Sequence, residues 1–149
     1  MQMMLRSVRT LALSLIVAAA LSGCVVGGYA LAPGEALTKQ KAKDDRKVPV
    51  FRADMTPQDL VSMLESYYRV AGSASTFEAT GVSPRTFRGQ HGIQVDFAYV
   101  AQNEVKRRGR TVMAIVDQKL HLVSFDAASL HYYDSLLADF DAIAASATI

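Results

Sequence analysis

The chain has 149 residues, a formal net charge of +2, one cysteine and an apolar fraction of 50%, which bounds it to a single small domain. Residues 1–23 hold 15 of the apolar residues, Arg6 and Arg9, and no acid or aromatic, so the rest balances 14 basic against 14 acidic side chains. That neutrality excludes a nucleic-acid module driven by bulk charge, and one cysteine excludes an internal disulfide, a CxxC redox pair and a cysteine-rich zinc site.

The chain opens with the basic Arg6 and Arg9, continues through an almost unbroken Leu, Ala, Val and Ile run from Thr10 to Ala20, and reaches Leu21-Ser22-Gly23-Cys24. Charged start, short apolar stretch and small-residue exit are the parts of a secretory signal. The last four residues resemble the lipobox of bacterial lipoproteins, in which the cysteine thiol is joined to diacylglycerol, the signal is cut before it and the new amino group is acylated. Small side chains at Ser22 and Gly23 let a peptidase approach the backbone, and only a thiol at Cys24 can form the thioether. The resemblance implies a lipid-anchored protein of the bacterial cell envelope. Val25, rather than Asp, follows Cys24, which in the enterobacterial pattern implies the periplasmic face of the outer membrane rather than the inner membrane. Three alternatives stay open, one of them a buried core helix. Ala18-Ala19-Ala20 could be an ordinary cleavage site, leaving Cys24 a free thiol. An uncleaved anchor is the third, since no charge occurs between Arg9 and Glu35 and about 20 apolar residues span a bilayer; Gly23, Gly27, Gly28 and Pro33 interrupt that stretch.

Val25 to Lys47 is rich in Gly, Ala and Lys, and Lys39 to Lys47 carries five basic and two acidic residues. Such a run reads as a solvated tether, the alternative being lysines that lie on anionic lipid and hold the domain down. On a flexible-chain scale of ~5–6 Å × √n, the tether would give a reach of roughly 25–30 Å. The chain thus divides into a lipoprotein signal peptide at 1–23, an acylated, charged tether at 24–47 and a folded domain at 48–149.

Within the domain, Val48-Pro49-Val50-Phe51 reads as a short edge strand, given its proline. Thr56-Pro57-Gln58-Asp59 starts a helix: Thr56 as N-cap, Pro57 in the first turn, Asp59 at the positive end of the dipole. Leu60, Leu64, Tyr67 and Ala71 form one stripe flanked by Val61, Met63 and Tyr68, and Gly72 stops it. From Ser75 the period becomes two. Thr76–Thr80 and Arg85–Arg88 read as strands across a Gly81–Pro84 turn, with a second turn at Gly89–Gly92. Ile93, Val95, Phe97 and Tyr99 mark a strand with one buried face. Thr111–Val116 and Leu120–Phe125, apolar on both sides, read as a central hairpin that needs cover on both faces. Ser129 is the expected cap of a last helix carrying Leu130, Tyr133, Leu136, Leu137, Phe140, Ile143 and Ala144 at helical spacing. This order predicts an α+β fold: an antiparallel sheet of about five strands with an N-terminal and a C-terminal helix packed on it.

The strand Gly92–Ala101, the hairpin Val112–Phe125, the small-residue step Asp126-Ala127-Ala128 and a closing helix ending Phe140-x-x-Ile143-x-x-Ser146 are similar in layout to the PsbP-like fold. That resemblance, over less than half the chain, implies a binding or assembly-assisting domain without chemistry of its own.

The search for chemistry yields little. His91 sits in a glycine turn, His121 on a strand and His131 near the last helix, with no HExxH and no i,i+4 pair for a metal. No GxSxG places a serine beside a histidine, though a small periplasmic hydrolase using His91 or His121 stays open, as does a structural spacer between outer membrane and cell wall. No phosphate-binding loop or other cofactor motif occurs. The sharpest local feature is Lys106, Arg107, Arg108 and Arg110, four cations in five residues at an expected strand-to-strand connection. It is either a solvated hairpin tip or a docking site for an acidic envelope protein or anionic lipid, suited by arginine's fork to phosphate and carboxylate. In each of Tyr67-Tyr68 and Tyr132-Tyr133, one ring is expected in the core and one at the rim.

Overall fold

A computed structural model describes residues 25–38 and 48–147. The expected signal peptide at 1–23, Cys24 and the charged run 39–47 lie outside the described residues. The described residues form five strands and two helices: β1 (Val25–Leu31), α1 (Pro57–Val70), β2 (Thr76–Phe87), β3 (Gln90–Val100), β4 (Lys106–Val116), β5 (Lys119–Ala128) and α2 (Tyr132–Ser146). All strands pair antiparallel in the order β1-β5-β4-β3-β2. The fold is therefore α+β, with one helix before the β2–β5 meander and one after it.

β1 corrects the expected tether. Residues 25–31 pair along their whole length with β5, from Val25 opposite Asp126 to Leu31 opposite Leu120. Gly27-Gly28 suggested a break, but an edge strand needs only one partner. The Tyr29 ring leans back over Gly27, where an added Cβ would meet it at 3.1 Å. The folded part thus includes Val25–Leu31, upstream of the expected boundary at Val48. After β1, Phe51 N–H donates to the Glu35 carbonyl (2.7 Å) and Gly34 N–H to the Phe51 carbonyl (2.8 Å). Val48–Phe51 is accordingly not a sheet strand; it carries a fully buried Phe51.

α1 forms as its sequence dictates. The Thr56 hydroxyl accepts from Asp59 N–H, and the Asp59 carboxylate accepts from Thr56 N–H at 2.9 Å, a reciprocal box. Leu60, Met63, Leu64 and Tyr68 bury their stripe on one sheet face against Val95, Phe97, Met113, Leu120 and Leu122. Tyr133, Phe140 and Ala144 of α2 cover the opposite face against Val112, Ala114, Phe125 and Ala127. The central hairpin is therefore covered on both sides, and no described helix is long and apolar enough to cross a membrane.

Other differences have local causes. β2 is one edge strand, bulged between Ala79 and Gly81, and Pro84 is tolerated at the edge. The turns are tighter than expected: Arg88-Gly89 and Asp117-Gln118 both have positive φ, the pattern of two-residue hairpin loops. Ser129 does not cap α2, because the helix begins three residues later at Tyr132; its N–H instead extends the ladder to the Lys106 carbonyl. The helix starts after His131, which has φ 77° and makes no side-chain cap. Leu130 falls before the helix and is exposed, as is Ile143.

Candidate functional site

The expected basic loop at 106–110 is the first half of β4. Alternation along the strand splits its cations between two faces. Arg107 points toward α1, where its Nε donates to Asp126 Oδ2 at 2.7 Å. Arg108 and Arg110 point toward α2. Arg108 donates to Asp134 at 3.0 Å and lies over the Tyr133 ring, 4.2 Å from its centroid. Arg110 bridges Asp96 (2.6 Å) and Asp141 (2.9 Å), and Arg85 reaches the same Asp141 at 2.8 Å. The cluster therefore does not converge on one external anion, and each arginine has a carboxylate of the fold. Lys106 is exposed at the strand's start. Burial works against the charge of Arg110, but its bonds to Asp96 and Asp141 outweigh it and raise its pKa. Burial also opposes the charge of Asp141, yet the Arg85 and Arg110 bonds hold its carboxyl below the usual range.

The glycine inside the basic run has a packing role. Gly109 lies opposite Phe97 on β3, and an added Cβ would collide with the Phe97 ring. The ring occupies the space that the missing side chain leaves on the α1 face.

On that same face, where β1 meets the end of α1, a cleft of about 150 Å³ is rimmed by Tyr29 and Tyr67 and floored by Tyr68, Tyr99, Ser124 and Asp126. Its floor is one connected polar network. The Asp126 carboxylate accepts from Tyr99 (2.7 Å), Arg107 (2.7 Å) and Tyr68 (3.4 Å). Tyr68 also meets the Ser124 hydroxyl at 3.3 Å, and Ser124 meets Thr111 at 2.7 Å. At the mouth the Tyr29 and Tyr67 hydroxyls are 3.4 Å apart. Burial, followed by the negative field of Asp126, pushes the Tyr68 and Tyr99 phenols up. Burial and the Tyr29 hydrogen bond do the same for Tyr67. These phenols stay protonated at neutral pH, and Asp126 is saturated by donors, so the floor offers neither a phenolate nor a free carboxylate base. What it offers a ligand is aromatic surface and hydroxyls.

The histidines are dispersed. His91 and His131 are exposed, and His121 Nδ1 accepts from Arg88 at 2.8 Å. Burial and then the Arg88 and Lys119 charges lower the His121 pKa. Among the described residues, no group of three or more His, Cys, Asp or Glu side chains is placed to hold a metal ion.

Tyr68 and Tyr133 are the core rings of their pairs, and Tyr132 is exposed. The sequence reading missed Asp126, treated as part of a small-residue step, and Tyr29, placed in the tether. The available signal was an acid in an otherwise apolar strand, which needs a partner. No protein-family model matches the chain, and no curated protein matches it.

Proposed function

We propose that the chain is an exported lipoprotein of the bacterial envelope, acylated at Cys24, whose domain binds another envelope component without catalysing a reaction. The observation that carries this reading is Leu21-Ser22-Gly23-Cys24 at the end of an uncharged apolar stretch preceded by Arg6 and Arg9. At ~0.8 kcal/mol per buried methylene, one acyl chain holds a protein marginally and two or three hold it durably. Val25 after the cysteine favours the periplasmic face of the outer membrane. For recognition, the tyrosine-rimmed cleft is the better candidate than the basic run, whose arginines are engaged within the fold. Tyrosine rims combine apolar contact with hydroxyl bonding at little entropic cost, and the saturated Asp126 supports binding rather than turnover.

Replacing Cys24 with serine tests the anchor: the wild type should partition into the detergent phase and the variant into the aqueous phase. A variant that stays with detergent and keeps residues 1–23 would favour the uncleaved anchor. For recognition, Tyr29→Ala and Tyr67→Ala should lower recovery of crosslinked partners in cells, and unchanged recovery would remove the cleft from the proposal.

A further inference from the structure

We infer that the domain stands end-on upon a phospholipid bilayer, seated through Val105, Leu130 and Tyr132 at the end of the sheet where β1 begins. This rests on the acylation of Cys24 proposed above and adds an orientation to it.

Cys24 directly precedes Val25, so their Cα atoms are ~3.8 Å apart, and Val25 is the first residue of a strand held by β5. An acyl group on Cys24 therefore leaves no spacer between the bilayer and the sheet. The charged run 39–47 supplies none either, because the chain reaches it only after β1 has run ~20 Å to Leu31.

The pairing then identifies what shares the Val25 end. Val25 lies opposite Asp126, and two residues later Ala128 lies opposite Arg107. Ser129 N–H bonds the Lys106 carbonyl, and Ala101 N–H bonds the Val105 carbonyl. The β3–β4 connection and the β5–α2 turn therefore stand side by side at the end where the anchor attaches.

Three of the seven exposed large apolar side chains among the described residues lie at this end, Val105 and Leu130 on the connections and Tyr132 at the start of α2. Leu130 is 87% exposed, Tyr132 42% and Val105 37%. Leu130 is held outward by a defined turn: His131 has φ 77°, and Tyr132 N–H returns to the Leu130 carbonyl. Exposed Lys106 follows Val105 in sequence, and its carbonyl accepts from Ser129 N–H in the β5–α2 turn. An aliphatic tip, a tyrosine and a lysine are the residue types that settle at the headgroup boundary. With the chain already anchored, the local concentration is high enough for a weak insertion to set orientation.

The test uses the full-length acylated protein with a polarity-sensitive fluorophore on one introduced cysteine: Leu130→Cys, Val105→Cys, or Lys119→Cys at the opposite end of β5. Each is reconstituted into vesicles of phosphatidylethanolamine and phosphatidylglycerol containing a brominated phospholipid. All three positions are exposed, and an unchanged near-ultraviolet dichroism spectrum checks that each label leaves the fold intact. Bromine should quench the probes at 130 and 105, with a blue shift, and leave the probe at 119 unaffected. Equal, weak quenching at all three sites on protein that floats with the vesicles would overturn the seating while leaving the anchor intact. Protein that does not float would overturn the acylation reading and the seating with it. Shielding at 130 and 105 that appears only with added envelope extract would overturn the bilayer as occupant.

Discussion

Arg107 Nε and Asp126 Oδ2 meet 2.7 Å apart on adjacent strands, with side chains only 14% and 5% exposed. Tyr99 and Tyr68 donate to the same carboxylate, so the pair is both desolvated and fully bonded. Removing one partner from such a pair leaves an uncompensated buried charge, a loss of about 3–5 kcal/mol. Asp126→Leu alone should therefore lower stability by that order in urea denaturation. Asp126→Leu with Arg107→Met should recover most of it. A single variant within ~1 kcal/mol of wild type, the scale of exposed pairs, would show that the network is solvated.

The Phe97 ring sits on Gly109 where a Cβ would have to go. Gly109→Ala should cost about 1–3 kcal/mol through overpacking, read as a drop in thermal midpoint. Trimming the ring in the same chain, Phe97→Leu, should make the added methyl less harmful than it is alone. Strictly additive losses would contradict the contact.

Alkaline titration should unfold the domain through its phenols. Burial raises the pKa values of Tyr67, Tyr68, Tyr99 and Tyr133 above the ordinary 10.0. The unfolded chain then releases these protons first, so stability holds below pH 10 and falls as pH rises toward the folded-state values. The urea midpoint should decline above pH 10, with phenolate absorbance appearing together with unfolding. Phenolate formation by these four rings in the folded state near pH 10 would contradict their burial.

Acid acts through different groups. Burial and Arg88 lower the His121 pKa below its ordinary 6.5, so the unfolded chain takes up that proton first. Stability is complete above pH 6.5 and declines below it. Asp141, lowered below 3.8 by Arg85 and Arg110 against the opposing effect of burial, adds a second loss as pH falls through the folded-state value. His121→Gln should flatten the first decline and leave the second. An unchanged midpoint profile between pH 7 and pH 5 in the wild type would remove His121 from this account.

Much of the fold was legible because its cues are local. Thr56, Pro57 and Asp59 write the start of α1 in four residues, and the alternation of Val95, Phe97 and Tyr99 writes β3. β1 was not legible, because Gly27-Gly28 hides a strand whose stability comes from β5, some hundred residues away in sequence. The basic run misled for a related reason. Four charges in five residues look like one solvated cluster until Asp126 takes Arg107 on one face and Asp96 and Asp141 take Arg110 on the other, leaving Lys106 and Arg108 exposed. Leu130 fitted the helical stripe in sequence, but the positive φ of His131 starts the helix after it. The cleft was illegible as a site, since Tyr29, Tyr67 and Asp126 meet only once β1, α1 and β5 are assembled.

In the lipoprotein proposed above, Cys24 carries lipid and is the first residue of the processed protein. Mass spectrometry of the amino-terminal peptide from protein purified out of membranes tests it directly. The expected peptide begins at Cys24, is heavier by a diacylglycerol group and an amide-linked acyl chain, and comes with no trace of residues 1–23. An unmodified Cys24 thiol, or a membrane-bound chain that still carries residues 1–23, would contradict it.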